Sequence, residues 1–368
     1  MREARSKRRA RERYAQQSEP IIDDDELVEC GGEVYYAVDF TPAGFPLGPT
    51  LAEMRRGAEH DARGAGWARA KYILRDLLEL ELGAVDEIGW VKKIGDGVSR
   101  DIFAAHVYLA NGHHDTYVVA LPRRDADRAL DERTRRELQL IAKLRAHDFP
   151  FRLPEMIGAF PDGDRLALVR RFATGVELDL RAGKQGRVKP WKIVAEIAAA
   201  IHAVPGRDLA DVIPGCDTRA GHARTALAVF DGLEVVEMRD AHAWALAHLP
   251  PEEPSTLLHG DLLGQNILLA PSGPHHVIDW EYATHGDPAY DLAIVTRGTK
   301  RPFQLERGLN LLLDAYHEHG SATITADHVR VHELCLVAGW YRAALAGEGP
   351  HGPAYELDRM RSVLRLIR

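Results

Sequence analysis

The residues best suited to chemistry are two carboxylates and an amide that lie near one another in the sequence. Asp261 precedes Asn266 by five positions, and Asp279 follows thirteen positions later. Carboxylate and amide oxygens are the ligands that Mg²⁺ prefers when it also binds phosphate oxygens. In phosphoryl transfer, one such aspartate receives the proton of the acceptor hydroxyl, while the asparagine and the second aspartate hold metal. The spacing favours this site over a set of solvated turn residues.

A predicted hairpin brings these side chains together. Residues 267–270 and 276–278 are short apolar runs, and the turn-forming residues 271–274 separate them. Asn266 stands just before the first strand and Asp279 just after the second, so antiparallel pairing places them side by side. The first aspartate lies in an upstream loop that can fold over the same point.

The local motifs resemble those of the aminoglycoside phosphotransferase and choline kinase family of small-molecule kinases. They are His259-Gly260-Asp261, Asp279-Trp280-Glu281 and the run from Gly286 to Ala293, Gly-Asp-Pro-Ala-Tyr-Asp-Leu-Ala. The resemblance covers roughly residues 90–345. It implies an α+β, bilobal protein-kinase-like fold with a small antiparallel-sheet N-lobe and a mostly helical C-lobe, preceded by an N-terminal extension.

The resemblance also assigns roles to residues. Asp261 is the expected catalytic base, and Asn266 and Asp279 are the expected metal ligands. His259 is expected to anchor the loop, and Asp291 to brace it. The implied cofactors are ATP (or GTP) and Mg²⁺, and the implied partner is a small-molecule hydroxyl acceptor that is aminoglycoside-like, choline-like or sugar-like.

A glycine-containing turn lies upstream, between two predicted strands. Gly95, Gly97 and Ser99 belong to this turn, which would let backbone N–H groups approach phosphate oxygens. The predicted helix 130–147 carries Glu137, at the place where the family has the glutamate that braces a nucleotide-binding lysine. We therefore assign the turn and Glu137 to cofactor binding.

The chain departs from the family pattern in its third N-lobe strand. Ala120 stands where the resemblance implies a lysine or arginine that faces the phosphates. Arg123 or Arg124 could replace that cation, as could Lys92 or Lys93 from the first strand, and we take Arg123 as the cofactor-binding candidate. The alternative is a nucleotide-binding regulatory module, a pseudokinase, that has lost transfer activity. A protein kinase is disfavoured because the sequence leaves no room for a long activation segment after the DWE motif.

The composition excludes several other classes of protein. The 368 residues are 45% apolar and 28% charged, which is typical of a globular protein. A net charge of −8 gives no support for nucleic-acid binding. The cysteines are far apart and indicate reduced thiols, not a disulfide framework or a zinc site. Neither a membrane-spanning run nor a signal peptide is apparent, so we expect a cytoplasmic protein.

Four segments are expected. Residues 1–19 form a basic tail predicted to be disordered, 20–85 an accessory hairpin and helix, 86–175 the N-lobe, and 176–368 the C-lobe with the catalytic hairpin. The accessory segment either packs onto the N-lobe, the favoured interpretation, or serves a homodimer or a substrate.

The acceptor site is less well defined by the sequence. Glu333, Trp340, Tyr341 and Arg342 could line it or could belong to a helix core and surface. His202 is interpreted as a core or capping residue. Three acids are expected near the acceptor without identifying it: Asp287, Glu318 and Glu333.

Overall fold

The computed structural model describes most of the chain. It covers residues 65–96, 99–123, 127, 129–320 and 322–367, together with four short strands before them. The predicted basic tail, the part of the predicted helix before Ala65, Gly97 and Arg124 lie outside the described residues.

The elements follow the predicted order of strands first and helices later. The strands are β1 (Leu27–Cys30), β2 (Glu33–Tyr36), β3 (Asp39–Phe40), β4 (Pro46–Leu47), β5 (Val85–Asp96), β6 (Arg100–Leu109), β7 (His114–Pro122), β8 (Phe151–Arg152), β9 (Met156–Asp162), β10 (Arg165–Arg171), β11 (Val176–Glu177), β12 (Thr256–Leu258), β13 (Ile267–Leu269), β14 (His275–Val277) and β15 (Thr284–Gly286). The α-helices are α1 (Ala65–Glu81), α2 (Ala129–Leu144), α3 (Pro190–His202), α4 (Arg219–Leu227), α5 (Val236–Ala247), α6 (Ala289–Thr296), α7 (Gly308–His319), α8 (Ala326–Leu345) and α9 (Pro353–Leu364).

The chain divides into two compact units. The first comprises residues 1–141, 154–174 and 270–273, and the second comprises 142–153, 175–269 and 274–368. The division of the chain into four functional domains stays a prediction.

A five-stranded antiparallel sheet forms the centre of the first unit, in the order β5-β6-β7-β10-β9. Successive side chains of a strand point to opposite faces. Phe103, Ala105 and Val107 of β6 therefore share one face, where they pack in the same buried cluster as Tyr117 and Val119 of β7.

Helix α1 covers that face. Leu74, Leu77 and Leu78 recur at helical spacing and are buried in the same cluster. Burying each such leucine contributes about 1.5–3 kcal/mol. The packing of α1 onto the sheet agrees with the favoured interpretation for this part of the accessory segment. A role of the segment in dimerisation stays a prediction.

The second unit is mainly helical. Helix α8 is the centre of one apolar core, in which Val331, Leu334 and Val337 meet Met238 of α5 and Met360 of α9. A four-stranded sheet in the order β11-β13-β14-β8 and the antiparallel pair β12–β15 complete the unit. A strand-rich unit followed by a helix-rich one confirms the α+β class.

Two element boundaries differ by a few residues from those that the sequence predicts. The sequence predicts a strand from Leu153 to Phe160, but the strand begins at Met156, after Pro154, which cannot donate to a strand ladder. The sequence predicts a helix from about residue 221, and the helix begins at Arg219, because the Thr218 side chain accepts a hydrogen bond from the Gly221 N–H and caps it. None of the helices that the structure describes combines the length and the apolar character needed to cross a bilayer.

Candidate active site

The predicted hairpin forms and joins the ends of its two strands. In the β13–β14 pair, Ile267 lies opposite Val277. The Ile278 N–H donates to the Asn266 carbonyl at 2.9 Å. Asn266 therefore lies directly before one strand, and Asp279 lies two residues after the other, in the same part of the second unit.

Asn266 fixes the expected catalytic base. Its side-chain Nδ2 donates to the Asp261 carbonyl oxygen at 2.8 Å and to the Asp261 carboxylate Oδ2 at 3.0 Å. Asn266 is itself buried, so its amide has one defined orientation. Since the amide nitrogen faces Asp261, the amide oxygen Oδ1 is the atom available to a cation.

The pKa of Asp261 reflects competing influences. Burial raises the pKa of this carboxyl above its ordinary value, and the negative charge of Asp279 adds to the effect. His259, the hydrogen bond from Asn266 and the positive charge of Arg297 act in the opposite direction. A half-buried carboxylate with a raised pKa is suited to accept a proton.

Asp291 holds the loop that carries Asp261. Its carboxylate accepts hydrogen bonds from the backbone N–H groups of His259, at 2.8 Å, and Gly260, at 2.9 Å. The Nε2 of His202 lies 3.2 Å from the same carboxylate, and its Nδ1 lies 3.0 Å from the Tyr316 hydroxyl. Burial alone would raise the pKa of Asp291, but His202 and the donors of the loop lower it below its ordinary value. Asp291 therefore stays ionised inside the second unit.

His259 is a second anchor of the loop. Its Nε2 lies 3.0 Å from the Ile278 carbonyl, and its Nδ1 accepts from the Asp261 N–H at 3.3 Å. Burial lowers the pKa of His259, although nearby carboxylates oppose the change. A neutral ring with the proton on Nε2 satisfies both contacts. His259 thus ties the loop to the hairpin and, like the buried His202, has a structural set of partners.

Two residues of the site adopt a left-handed backbone conformation. Gly260 has φ +79°, and a Cβ at this position would lie 2.0 Å from the Tyr282 carbonyl oxygen. Asp279 has φ 62°, which is uncommon for a residue with a side chain. Glycine adopts this conformation freely, but a residue with a side chain, such as Asp279, bears a cost of about 1–3 kcal/mol, and strained residues of this kind cluster at functional sites.

Arg297 is a residue of the site that the sequence analysis missed. It follows the last residue of α6, with φ 52° and ψ 29°, and its positive charge acts on Asp261. Its guanidinium carbon lies 5.8 Å from the Trp340 ring, and that of Arg359 lies 4.1 Å from the same ring. In the sequence, Arg297 is marked only by being a basic residue directly after the helix that carries Asp291.

Two of the three acids expected near the acceptor have internal partners. Asp287 is fully buried between the Arg219 Nε, at 2.7 Å, and the His332 Nε2, at 2.8 Å. Burial alone would raise the pKa of Asp287, but His332 and Arg219 lower it to about 2. Glu333 is buried against Arg330 and Thr296.

Three of the remaining acceptor candidates, Glu318, Tyr341 and Arg342, lie at exposed or core positions. Glu318 is exposed and lies 4.0 Å from Lys192. Tyr341 packs in the core of the second unit, and Arg342 donates to the Val229 carbonyl. These positions therefore fit the helix core and surface, the alternative considered from the sequence.

The cofactor-binding candidates of the first unit lie at one end of its sheet. Gly95 in β5 pairs with Ile102, and the Ser99 carbonyl accepts from the Arg123 N–H at 3.0 Å. Glu137 is buried in α2, where its carboxylate lies 3.8 Å from the Arg100 guanidinium. The sequence analysis did not identify Arg100 as a partner of Glu137.

We predict that Gly260→Ala destabilises the protein far more than Gly232→Ala. Gly232 also has a positive φ, +75°, but a Cβ there meets nothing within 4 Å. Both variants bear the cost of a left-handed alanine, about 1–2 kcal/mol. Only Gly260→Ala must also displace the Tyr282 carbonyl, so the Asp261 loop moves away from Asp291. Urea unfolding and amide exchange of residues 259 and 260 measure the difference. Equal losses in the two variants would contradict it.

We predict that Arg297→Asn raises the pKa of Asp261. The Arg297 charge stabilises the carboxylate, so its removal favours the protonated form. Asparagine tolerates the left-handed backbone of this position. A carbon-13 NMR titration of the Asp261 carboxyl measures the shift, and Arg297→Lys, which keeps the charge, is the control. An unchanged or lowered pKa in Arg297→Asn would show that the two groups do not interact.

Comparisons with known proteins support the resemblance. Among solved structures, macrolide 2'-phosphotransferase MphH from Brachybacterium faecium aligns with a TM-score of 0.53 and 22% identity, over 79% of this chain and 96% of that chain. A thermostable mutant of aminoglycoside phosphotransferase APH(4)-Ia, in a ternary complex with ADP and hygromycin B, aligns with a TM-score of 0.53 and 18% identity, over 79% and 98%. These likenesses confirm the kinase-like fold.

A third structure, the GDP and kanamycin complex of an APH(2") phosphotransferase, aligns with a TM-score of 0.52 and 14% identity, over 79% of this chain and 96% of that chain. The search of curated proteins gives no significant match. The model of the phosphotransferase enzyme family matches residues 90–326. Because this match spans more than half of the chain, the protein belongs to the phosphotransferase enzyme family.

Proposed function

We propose that this protein transfers the γ-phosphoryl group of ATP to a hydroxyl of a small molecule. The observation that carries the proposal is the half-buried Asp261 carboxylate, which Asn266 orients beside Asp279. Family membership supports the reaction class. We also propose that the acceptor is a small molecule with a hydroxyl group, that ATP and not GTP is the donor, and that the protein is cytoplasmic.

Asp261 acts on the acceptor. Its carboxylate orients the hydroxyl and takes its proton as the oxygen attacks the γ-phosphorus and the bond to the bridging oxygen breaks. The transition state of such a transfer is loose, so positioning contributes more than basicity. The loop contacts to Asp291 and His259 supply that positioning, because they fix the backbone on which Asp261 stands.

The oxygen donors near the hairpin fit a magnesium ion. Asp279 offers a carboxylate and Asn266 an amide oxygen, both hard ligands, and substrate phosphates would complete the set. Asp279 and Asn266 would hold the ion, which would supply positive charge that neutralises the phosphates.

In the first unit, we assign nucleotide phosphates to the glycine-containing turn. Gly95, Gly97 and Ser99 would offer backbone N–H groups to phosphate oxygens. Glu137 would hold the positively charged side chain that binds the phosphates, and Arg123 is the candidate for that side chain from the sequence analysis. Solved relatives hold ADP or GDP, so both ATP and GTP are to be tested as donors.

The acceptor is proposed from the relatives. Hygromycin B and kanamycin occur in complexes of structures that share the fold, and a macrolide phosphotransferase is among them. We therefore propose a hydroxyl-bearing small molecule and a first screen of aminoglycosides, macrolides, choline-like amines and sugars. We also propose that the protein forms a homodimer through its N-terminal extension, which can be tested on the protein purified for the screen.

A second candidate function is a nucleotide-binding regulatory module without transfer activity. Ala120 favours it, because alanine cannot neutralise a phosphate. Binding of ATP and Mg²⁺ without transfer to any acceptor of the screen, and without ATP hydrolysis, would favour this second function.

We predict that Asp261→Asn lowers kcat by about 10²–10⁴-fold, the usual contribution of a positioned base, while ATP binding stays intact. The amide keeps the size of the side chain but cannot accept the proton. Steady-state kinetics with an accepted substrate and calorimetry with ATP and Mg²⁺ measure the two effects separately. Turnover equal to that of the wild type would contradict the assignment.

For Asp279→Asn, we predict an effect on ATP binding itself. Without the charged ligand, ATP affinity should no longer increase as Mg²⁺ is added, whereas affinity in the absence of Mg²⁺ should change little. Asparagine is compatible with φ 62°, so the backbone can stay in place. A magnesium titration of ATP affinity tests this, and a wild-type response in the variant would remove Asp279 from the metal site.

A further inference from the structure

The buried ion pair of the first unit raises the question of what Arg100 does. The Arg100 guanidinium lies 3.8 Å from the Glu137 carboxylate, with side-chain exposures of 9% and 3%. Its NH2 group also donates to the Thr134 hydroxyl at 2.8 Å. Both partners belong to α2. A buried ion pair is expensive to desolvate and adds little stability in general, so such a pair is a candidate for a functional role.

Strand alternation places Arg100 on the same face of the sheet as Ala120. Phe103 packs against the α1 side, so Arg100 and Ile102 point to the opposite face. Directly paired residues share a face, and Ile102 pairs with Ala120 while Arg100 pairs with Pro122. Arg100 and Ala120 are therefore diagonal neighbours, roughly 7–8 Å apart between backbones, within reach of a long side chain.

The position of Arg100 along its strand is equally informative. It is the first residue of β6, directly after Ser99, and Gly95 pairs with Ile102 near the same strand end. A phosphate that binds beside Gly95 and Ser99, as proposed above, would therefore lie close to Arg100. A guanidinium presents five N–H donors in a planar fork that matches a phosphate group.

The cations considered from the sequence are less well placed than Arg100. Lys93 pairs with Phe103, on the face that α1 covers, and lies 3.1 Å from Asp101. Lys92 pairs with Ala104, four residues further along β6 than Arg100, roughly 13 Å along the strand. Arg123 lies after the end of β7 at Pro122, so strand pairing does not hold it on the face of Ala120.

We infer that Arg100 is the cation that binds the phosphates of the nucleotide, with Glu137 and Thr134 holding its guanidinium in place. The cation is thereby supplied from β6, and the small side chain of Ala120 leaves the shared face open to it. This inference rests on the proposed function and replaces Arg123 as the phosphate-binding residue.

The test measures two affinities by calorimetry on the full-length protein. One is for ATP in the presence of Mg²⁺, and the other is for adenosine, which lacks the phosphates. We predict that Arg100→Met weakens ATP binding by about 30-fold or more, the loss expected for hydrogen bonds to a charged group, and leaves adenosine binding within about twofold. General damage to the fold would weaken both ligands. The matched control is Arg165→Met, because Arg165 of β10 also pairs with α2, through Asp131 at 3.1 Å, and both side chains are largely buried. Arg165→Met should keep the wild-type ratio of the two affinities.

A relocation variant gives an independent test. In Arg100→Met/Ala120→Lys, the cation moves to the diagonal neighbour on the same face, so the ratio of ATP to adenosine affinity should recover in large part. If Arg100→Met alone does not fold, the affinities for ATP and adenosine are compared in Arg100→Lys and in the relocation variant. Both of these variants keep a positive charge for Glu137. For those two variants, we expect ATP binding of the wild-type order.

Two results would overturn the inference. The first is wild-type ATP affinity in Arg100→Met, or an equal loss for ATP and adenosine. The second is a selective loss of ATP affinity in Arg123→Met but not in Arg100→Met. In both cases the wild-type protein still binds ATP, so the proposed function survives. A wild-type protein that binds no nucleotide would instead overturn both.

Discussion

The candidate site depends on one buried negative charge. The Asp291 carboxylate has no exposed surface and is stable there only because several donors surround it. Two of these donors are the backbone N–H groups of consecutive residues, His259 and Gly260, and a third comes from His202. Consecutive N–H groups can converge on one acceptor only in a strongly bent loop. The charge of Asp291 therefore selects the backbone conformation that presents Asp261, one residue further along.

The rest of the site extends this constraint through the hairpin. Gly260 must be glycine because the bend brings it against the Tyr282 carbonyl, where a Cβ would lie 2.0 Å away. His259 joins the loop to Ile278, and the Ile278 N–H binds the Asn266 carbonyl. The Asn266 side chain in turn donates a hydrogen bond to the Asp261 carboxylate. Asn266 and Asp261 are thus held by a closed series of contacts, which suits the proposed reaction because that reaction relies on positioning.

The sequence predicted the parts of the structure that local spacing determines. The hairpin, the approach of Asn266 to Asp279 and the apolar stripe of α1 follow from periodicity and turn residues over short distances. Contacts that depend on strand register or on a single backbone angle were not predictable. Arg297 reaches the site because α6 is followed by a left-handed residue, and Arg100 of β6 meets Glu137 of α2 although the two are far apart in the sequence. The start of α4 was misplaced for a similar reason, since Thr218 extends the helix by its side chain.

The exchange between Ala120 and Arg100 illustrates a general property of a sheet face. A nucleotide phosphate requires positive charge at a point in space, and neighbouring strands offer several backbone positions within reach of that point. An arginine side chain is long enough to cross from one strand to the diagonal position of the next. Glu137 of α2 lies 3.8 Å from the guanidinium that β6 supplies. An alanine in the third strand therefore removes one route to the cation without removing the charge, which weakens the argument that Ala120 indicates an inactive protein.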